Sequence, residues 1–387
     1  MNIVIIPAFF QTKHRPTLGS FFLEQAKALK KAGHQVTILY CDTYSVKCVK
    51  EWLSYEEEKE TQTDGILIYR NKCFCPLKHG MEGYREAFSK GIEKLWEKYI
   101  KTQSVDIIHA HCCVWAGYAA MKLSEKTKVP YVITEHATLF QLRKDEISKK
   151  NNVIIQQVFQ KATRVICVSR AFAKLLESYR TDIDVVGNVV NCDAFMPQKK
   201  GSNKQEIRFL TVCYMEEEAQ LYKKGMDLLI EAWAQIIKRH TDVKLVIGGG
   251  GKAKVKVEQW VREQGVSEYV EFLGALDRNQ VIKKMQECDC FVLPSRYETF
   301  GVVYIEAMAC GKPVIAAANG GPDDFVKEFN GILMEPNEEE LTKAIEKMIE
   351  HLEQKGYYKE KQIAEYVKGR FSYEAIAQAL GEIYKAV

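Results

Sequence analysis

Although the chain carries twelve cysteines, it has no Cys-x-x-Cys pair and no cysteine–histidine set at zinc-ligand spacing. That excludes a structural zinc centre of the usual kinds, and the cysteines read as reduced, mostly packing residues of a cytoplasmic protein. Neither sign of charge is in excess: 55 basic against 51 acidic side chains leave a formal +4. Bulk electrostatics therefore give nucleic-acid binding no support. No apolar run approaches the length that crosses a bilayer. Residues 1–7 are too short for a signal-peptide core and have no basic flank, so they read as a first buried strand. Internal repeats and low-complexity tracts are also missing.

What is present is core material for two domains, with 47% hydrophobic residues in a chain of 387. Strand-like runs at 3–6, 35–40, 106–110, 131–134 and 165–168 alternate with helix-length segments, the pattern of a parallel α/β unit. A polar stretch at 197–204 interrupts it, and the pattern restarts at 208–212, 244–247, 270–273, 290–293 and 314–317, which places a boundary near 190–205. Residues 372–387 read as an amphipathic helix capped by Ser372, with Tyr373, Ile376, Leu380, Ile383 and Tyr384 on one side.

The richest stretch runs from 290 to 313. Its apolar run 290–293 predicts a buried parallel strand, 294–301 the loop after it, and 302–310 a helix stopped by Gly311 and Pro313. Glu298 lies before that helix and Glu306 inside it. In one continuous helix they would be roughly 12 Å apart along the axis, whereas a loop that folds back brings both to one crevice. The helix start leaves backbone N–H groups from about Phe300 to Val303 without intrahelical partners, at the partly positive end of the macrodipole. An anion site flanked by two hydrogen-bond acceptors suits a nucleotide diphosphate sugar, with phosphates for the N–H groups and hydroxyls for the carboxylates.

Glu298 and Glu306, followed by Ala307-Met308-Ala309, Gly311, Pro313-Val314-Ile315-Ala316 and Gly320-Gly321-Pro322, resemble the retaining glycosyltransferases of family 4. The resemblance covers nearly the whole chain and implies the GT-B fold, two Rossmann-like parallel-sheet domains facing across a cleft. It implies an acceptor domain at 1–195, a donor domain at 196–370 and a helix at 371–387 that crosses back to the first domain. A hexosyltransferase of polysaccharide or other cell-surface glycan synthesis is then expected, using a nucleotide sugar and a glycan or lipid-linked glycan acceptor, with no cofactor and no metal.

The resemblance also implies roles for individual residues. Glu306 accepts hydrogen bonds from the donor's ribose, Glu298 contacts the transferred sugar, and Phe300 and Gly301 add backbone donors beside Thr299 and Val302. Lys224, in Lys224-Gly225, stabilises the departing diphosphate. The arginine that usually precedes it is missing, with Tyr214 there instead, and Lys223 and Arg296 are candidates for the second cation. Gly249, within Gly248-Gly249-Gly250-Gly251, and Leu276 flank the nucleotide, whereas Asp277 reads as a helix cap. Asp324 stands where many relatives have Glu. In the acceptor domain Thr134-Glu135-His136 matches the family's Thr-x-His, with His136 as a catalytic, sugar-contacting residue, and Asn188 resembles its interdomain turn; Gly19 and Ser20 open a helix after the first strand and give flexible backbone near the cleft.

His109 and His111 share one face of a strand end, which suits either a metal pair or, in the favoured reading, packing and hydrogen bonding at the cleft. The segment 84–101 carries Arg85, Lys90, Lys94, Lys98 and Lys101 beside Phe88, Leu95, Trp96 and Tyr99, in the favoured reading an ordinary surface helix with its apolar stripe in the core and otherwise one that lies on an anionic membrane. Three rivals stay open: a nucleotide-sugar-binding partner without turnover, a GT-B-like sugar epimerase, and a Rossmann oxidoreductase built on the glycine run. Donor base, sugar, acceptor and oligomeric state are not encoded in any short motif.

Overall fold

The computed structural model describes residues 1–12, 18–45, 52–53, 61–75, 80–198 and 206–387. Residues 199–204 of the stretch read as a linker lie outside them. The chain forms two compact units, one of Met1–Val189 with Tyr373–Val387 and the other of Val190–Ser372.

The first unit is built on β1 (Asn2–Pro7), β2 (Gln35–Ser45), β3 (Thr61–Thr63), β4 (Ile66–Cys75), β5 (Ile107–His111), β6 (Tyr131–Glu135), β7 (Arg164–Cys167) and β8 (Ile183–Val185). They form one sheet in the order β3-β4-β2-β1-β5-β6-β7-β8, and only the β3–β4 pair is antiparallel. Ile3, Val4, Ile5 and Ile6 of β1 are at most 2% exposed, as a strand covered on both faces requires. Each such aliphatic side chain stabilises the fold by about 1.5–3 kcal/mol. The helix Tyr373–Lys385 belongs to this unit, where Ile376, Leu380, Ile383 and Tyr384 are buried and the Tyr384 hydroxyl meets His109.

The strand β4 was not anticipated, because Arg70, Asn71 and Lys72 interrupt its apolar pattern. Here Arg70 is buried with its guanidinium over the Phe10 ring and Nη1 donating to the Gln11 carbonyl at 2.6 Å, while the Asn71 amide donates to the Gly91 carbonyl. Buried polar groups with partners are tolerated in a central strand. The helix Gly80–Leu95 buries Phe88, Ile92 and Leu95, and Trp96 and Ile100 of the following π-helical turn are buried as well. Tyr99 stacks on Tyr69 at 4.2 Å. The apolar stripe considered for a membrane is therefore part of the core. No helix among the described residues is long and apolar enough to cross a membrane.

The second unit carries β9 (Ile207–Val212), β10 (Val243–Gly248), β11 (Val270–Gly274), β12 (Cys290–Leu293), β13 (Val314–Ala317) and β14 (Gly331–Met334), all parallel, in the order β11-β10-β9-β12-β13-β14. Both sheets thus reverse direction of winding beside their first strand, between β1 and β5 in one unit and between β9 and β12 in the other. In doubly wound sheets the crevice beyond the carboxyl ends of such neighbouring strands is where ligands bind.

Candidate active site

Beyond β9 the chain forms the short helix Glu218–Lys223, then Lys224, then Gly225, which opens the helix Met226–Ile236. Gly225 is left-handed at φ +67°, and a β-carbon there would run into the Pro294 carbonyl oxygen. The turn carrying Lys224 can therefore lie directly on the end of β12. Lys224 Nζ meets Glu298 Oε2 at 2.7 Å, with side chains 25% and 14% exposed. Burial opposes the lysine's charge, but the adjacent Glu298 carboxylate and its hydrogen bond outweigh that and raise its pKa.

Arg296 ties the two halves of this pair together. Its backbone N–H donates to the Lys223 carbonyl at 2.8 Å and its Nη1 to the Tyr222 carbonyl at 2.7 Å. Its guanidinium also grips Asp227 in a bidentate pair, both contacts 2.7 Å, over the face of Tyr222. A fork so engaged is a brace for the lysine turn, and its donors are spent on Asp227 and the Tyr222 carbonyl. Burial and then the Lys224 charge lower the pKa of Lys223, the residue before Lys224.

Gly301, at φ +96°, starts the helix Val302–Ala309. Among the described residues, no acceptor is bound by the backbone N–H groups of Gly301, Val302 or Val303. A β-carbon on Gly301 would lie 3.3 Å from Glu298 Cγ, so Lys224, Glu298 and the open helix end are contiguous. Thr299 and Val302 are half-buried beside them. The Phe300 side chain is 2% exposed, packed on Phe325 and Phe371, so only its backbone remains for a ligand.

Glu306 projects from the same helix with its side chain 4% exposed, and Arg278 Nη1 meets its Oε1 at 2.6 Å. Arg278 is the first residue of the helix Arg278–Glu287, whose N-terminus Asp277 caps in a reciprocal box with Gln280. Leu276, two residues earlier, packs over Gly248. Gly249 is glycine because the Cys213 carbonyl oxygen occupies the place of a β-carbon; its close approach is to the backbone beyond β9.

In the first unit Gly19, at φ +68°, opens the helix Ser20–Lys31 after β1. Next to it β5 ends in His111 and β6 is followed by His136. Their ring nitrogens Nδ1 and Nε2 are 3.0 Å apart, and Phe22 packs on both rings. His109 stacks on His111 and uses both of its nitrogens, with Tyr384 Oη at 2.6 Å and Thr134 Oγ1 at 2.7 Å. That leaves it no lone pair for a metal. Burial lowers the pKa of His109 to about 3, and burial with repulsion from His109 lowers that of His136 to about 3. At neutral pH both are uncharged hydrogen-bonding groups. Glu135, which sequence reasoning passed over, is fully buried and accepts from the backbone N–H groups of Cys113, His136 and Ala137 at 2.7–2.9 Å. Asn188 is buried, and the Asx turn nearby belongs to Asn191, which accepts from the N–H groups of Asp193 and Ala194.

Arg278 and Glu135 carry no motif of their own. A capped helix start after a strand and a carboxylate within an apolar strand end are the weak signals that mark them.

Comparison with known proteins identifies the family and the fold. Residues 18–194 match the family model described as Glycosyltransferase Family 4, and residues 193–368 match Glycosyl transferases group 1. The chain is 29% identical over 294 residues to the glycosyltransferase MJ1178 of Methanocaldococcus jannaschii, covering 74% of this chain and 75% of that protein. It is 30% identical over 347 residues to the D-inositol 3-phosphate glycosyltransferase of Jonesia denitrificans, covering 83% and 79%. Among solved structures, Anabaena HepE in complex with UDP superposes with a TM-score of 0.73 at 20% identity, over 100% of both chains. The chain belongs to the family 4 glycosyltransferases and has their GT-B fold of two Rossmann-like units.

Proposed function

We propose that the protein is a retaining hexosyltransferase that moves a hexose from a nucleotide diphosphate sugar to an acceptor hydroxyl in glycan or glycolipid synthesis. The observation that carries this reading is the Lys224–Glu298 pair set against the open start of the helix Val302–Ala309 at the switch point of the second sheet. A diphosphate leaving group develops negative charge as the anomeric C–O bond breaks. Lys224 and the N–H groups of Gly301, Val302 and Val303 are fixed donors for that charge. Glu298 holds a hydroxyl of the transferred sugar, and Glu306 the ribose.

With the new bond forming on the same face, the acceptor proton passes to an oxygen of the departing phosphate. No protein base and no metal is invoked in this scheme. His136, His111, Gly19, Ser20 and Asn188 are assigned to the acceptor side, where uncharged imidazoles suit a neutral hydroxyl. The relative that acts on D-inositol 3-phosphate makes a polyol or its lipid derivative the first acceptor class to try.

The test is a thermal-shift screen against UDP, GDP, ADP and their hexose conjugates, with NAD as control, followed by transfer assays with the stabilising donor. Stabilisation by one nucleotide family, lost in Lys224→Ala, and net retention in the product are expected. Stabilisation by NAD alone, or an inverted product, overturns the reading. A second reading, donor binding without turnover, draws on the engagement of Arg296 by Asp227, which keeps that guanidinium from the clamp. Release of free nucleotide in the presence of acceptor eliminates it.

A further inference from the structure

Glu306 does not face the nucleotide alone. Its carboxylate is nearly sealed from solvent, and the Arg278 guanidinium, itself 40% exposed, contacts it at 2.6 Å. Three features fix that guanidinium. Arg278 begins a helix that Asp277 and Gln280 lock with a reciprocal cap. Its charged plane lies 4.5 Å from the Phe195 ring centroid, and Phe195 is 1% exposed. The far end of the same helix holds the Phe195 segment, through Gln286 Nε2 donating to the Met196 carbonyl at 3.1 Å.

From this geometry we infer that Arg278 and Glu306 together form a hydroxyl reader for the donor's ribose, in which Arg278 sets the preference for ribose over deoxyribose. The inference rests on the placement of the ribose at Glu306 proposed above. A hydroxyl both donates and accepts. A carboxylate can only accept and a guanidinium can only donate, so the contacting pair satisfies both halves of one O–H group. A carboxylate offers about four lone-pair sites, which is enough to keep Arg278 bound while it accepts from a vicinal diol. Removing a ribose hydroxyl leaves both charged partners short of a hydrogen bond, which is how a site built for an O–H rejects the analogue without it.

The pair also explains why the exposed partner is an arginine. Stacked on Phe195 with its fork aimed at the carboxylate, it keeps a fixed direction that a lysine ammonium would not.

The experiment measures dissociation constants of UDP, GDP and ADP, and of the 2′- and 3′-deoxy counterpart of whichever binds, for the wild type, Arg278→Ala, Arg278→Lys, Glu306→Ala and the double variant. The wild type should prefer the ribonucleotide. Arg278→Ala should lower that preference about tenfold, Arg278→Lys should recover only part of it, and Arg278→Ala should add nothing further in the Glu306→Ala background. If Glu306→Ala loses the preference while Arg278→Ala keeps it in full, the carboxylate alone reads ribose and the inference fails. If Glu306→Ala itself keeps the preference, the ribose lies elsewhere and the underlying placement fails. Thermal melts of each variant without nucleotide separate either result from loss of fold.

Discussion

The two units wind their sheets alike and open a helix with a left-handed glycine beside the first strand or its neighbour, yet they furnish those positions with opposite chemistry. In the second unit the functional side chains are charged, paired and partly open to water: Lys224 with Glu298, Arg278 with Glu306, Arg296 with Asp227. In the first the candidate residues are three adjoining, buried and uncharged histidines in contact with one another, with a threonine and with a tyrosine. On the proposed reading the same scaffold supports an anion site in one unit and a neutral hydroxyl site in the other, and side chains at strand ends decide which. This contrast matches a transfer in which one substrate brings two phosphates and the other a hydroxyl.

The largest expected effect breaks the charged side. Lys224→Ala should reduce kcat by about 10²–10³-fold, the usual cost of losing a preorganised donor to developing charge. His136→Ala, which removes an uncharged group, should cost about tenfold. Steady-state kinetics with the stabilising donor check both, and comparable losses would mean that the contrast between the units does not map onto chemistry.

Next comes the brace. Arg296→Ala should lower stability by about 2 kcal/mol, because it strands a mostly buried Asp227 and frees the 222–225 turn. Donor affinity should fall with it, while Arg296→Lys restores charge but not the fork. Chemical denaturation with a parallel donor titration reads this out. Affinity unchanged by a measurable loss of stability would show that Lys224 holds its place without the brace.

How much of this was legible in the sequence depends on how far apart the interacting residues are. The strand Cys290–Leu293 and the helix Val302–Ala309 were readable because an apolar run, a glycine and a Gly-x-Pro stop lie within one short window. The strand Ile66–Cys75 was not, since its buried Arg70 and Asn71 are satisfied by Gln11 and Gly91, partners that no local pattern announces. The same holds for the pairing of Arg278 with Glu306 and of His109 with Tyr384, which only the folded sheets bring together. The basic segment at 84–101 was legible in its favoured reading, a surface helix with its apolar stripe in the core: Phe88, Leu95 and Trp96 are buried, and Ile92 and Ile100 join them.

A smaller effect sharpens the neutral side. His109 and His136 are held uncharged with pKa values of about 3, against about 6.5 in an unfolded chain. As pH falls below about 6.5 the unfolded chain takes up protons that the folded form refuses, so stability present above that pH is lost progressively toward pH 3. Each histidine contributes a slope of about 1.4 kcal/mol per pH unit in that window. His109→Gln should remove one such increment. Denaturation midpoints measured at several pH values between 4 and 8 give the difference, and an unchanged slope would mean that His109 is protonated in the fold.

The smallest expected effect is at Tyr214, 55% exposed where the family pattern has an arginine. With Arg296 held by Asp227, Lys224 and the depressed Lys223 are cations beside the proposed diphosphate position. Tyr214→Arg adds a guanidinium at an exposed position and should leave thermal stability within about 0.5 kcal/mol. If the position faces the diphosphate, the donor KM should fall about threefold to tenfold with kcat little changed, because the added charge binds ground state and transition state alike. A rise in kcat instead would place the new charge against the leaving group in the transition state and assign to Tyr214 a real loss of catalytic power. No change in either constant would show that Lys223 and Lys224 already saturate the phosphates, and that the charged unit works without the arginine its family pattern calls for.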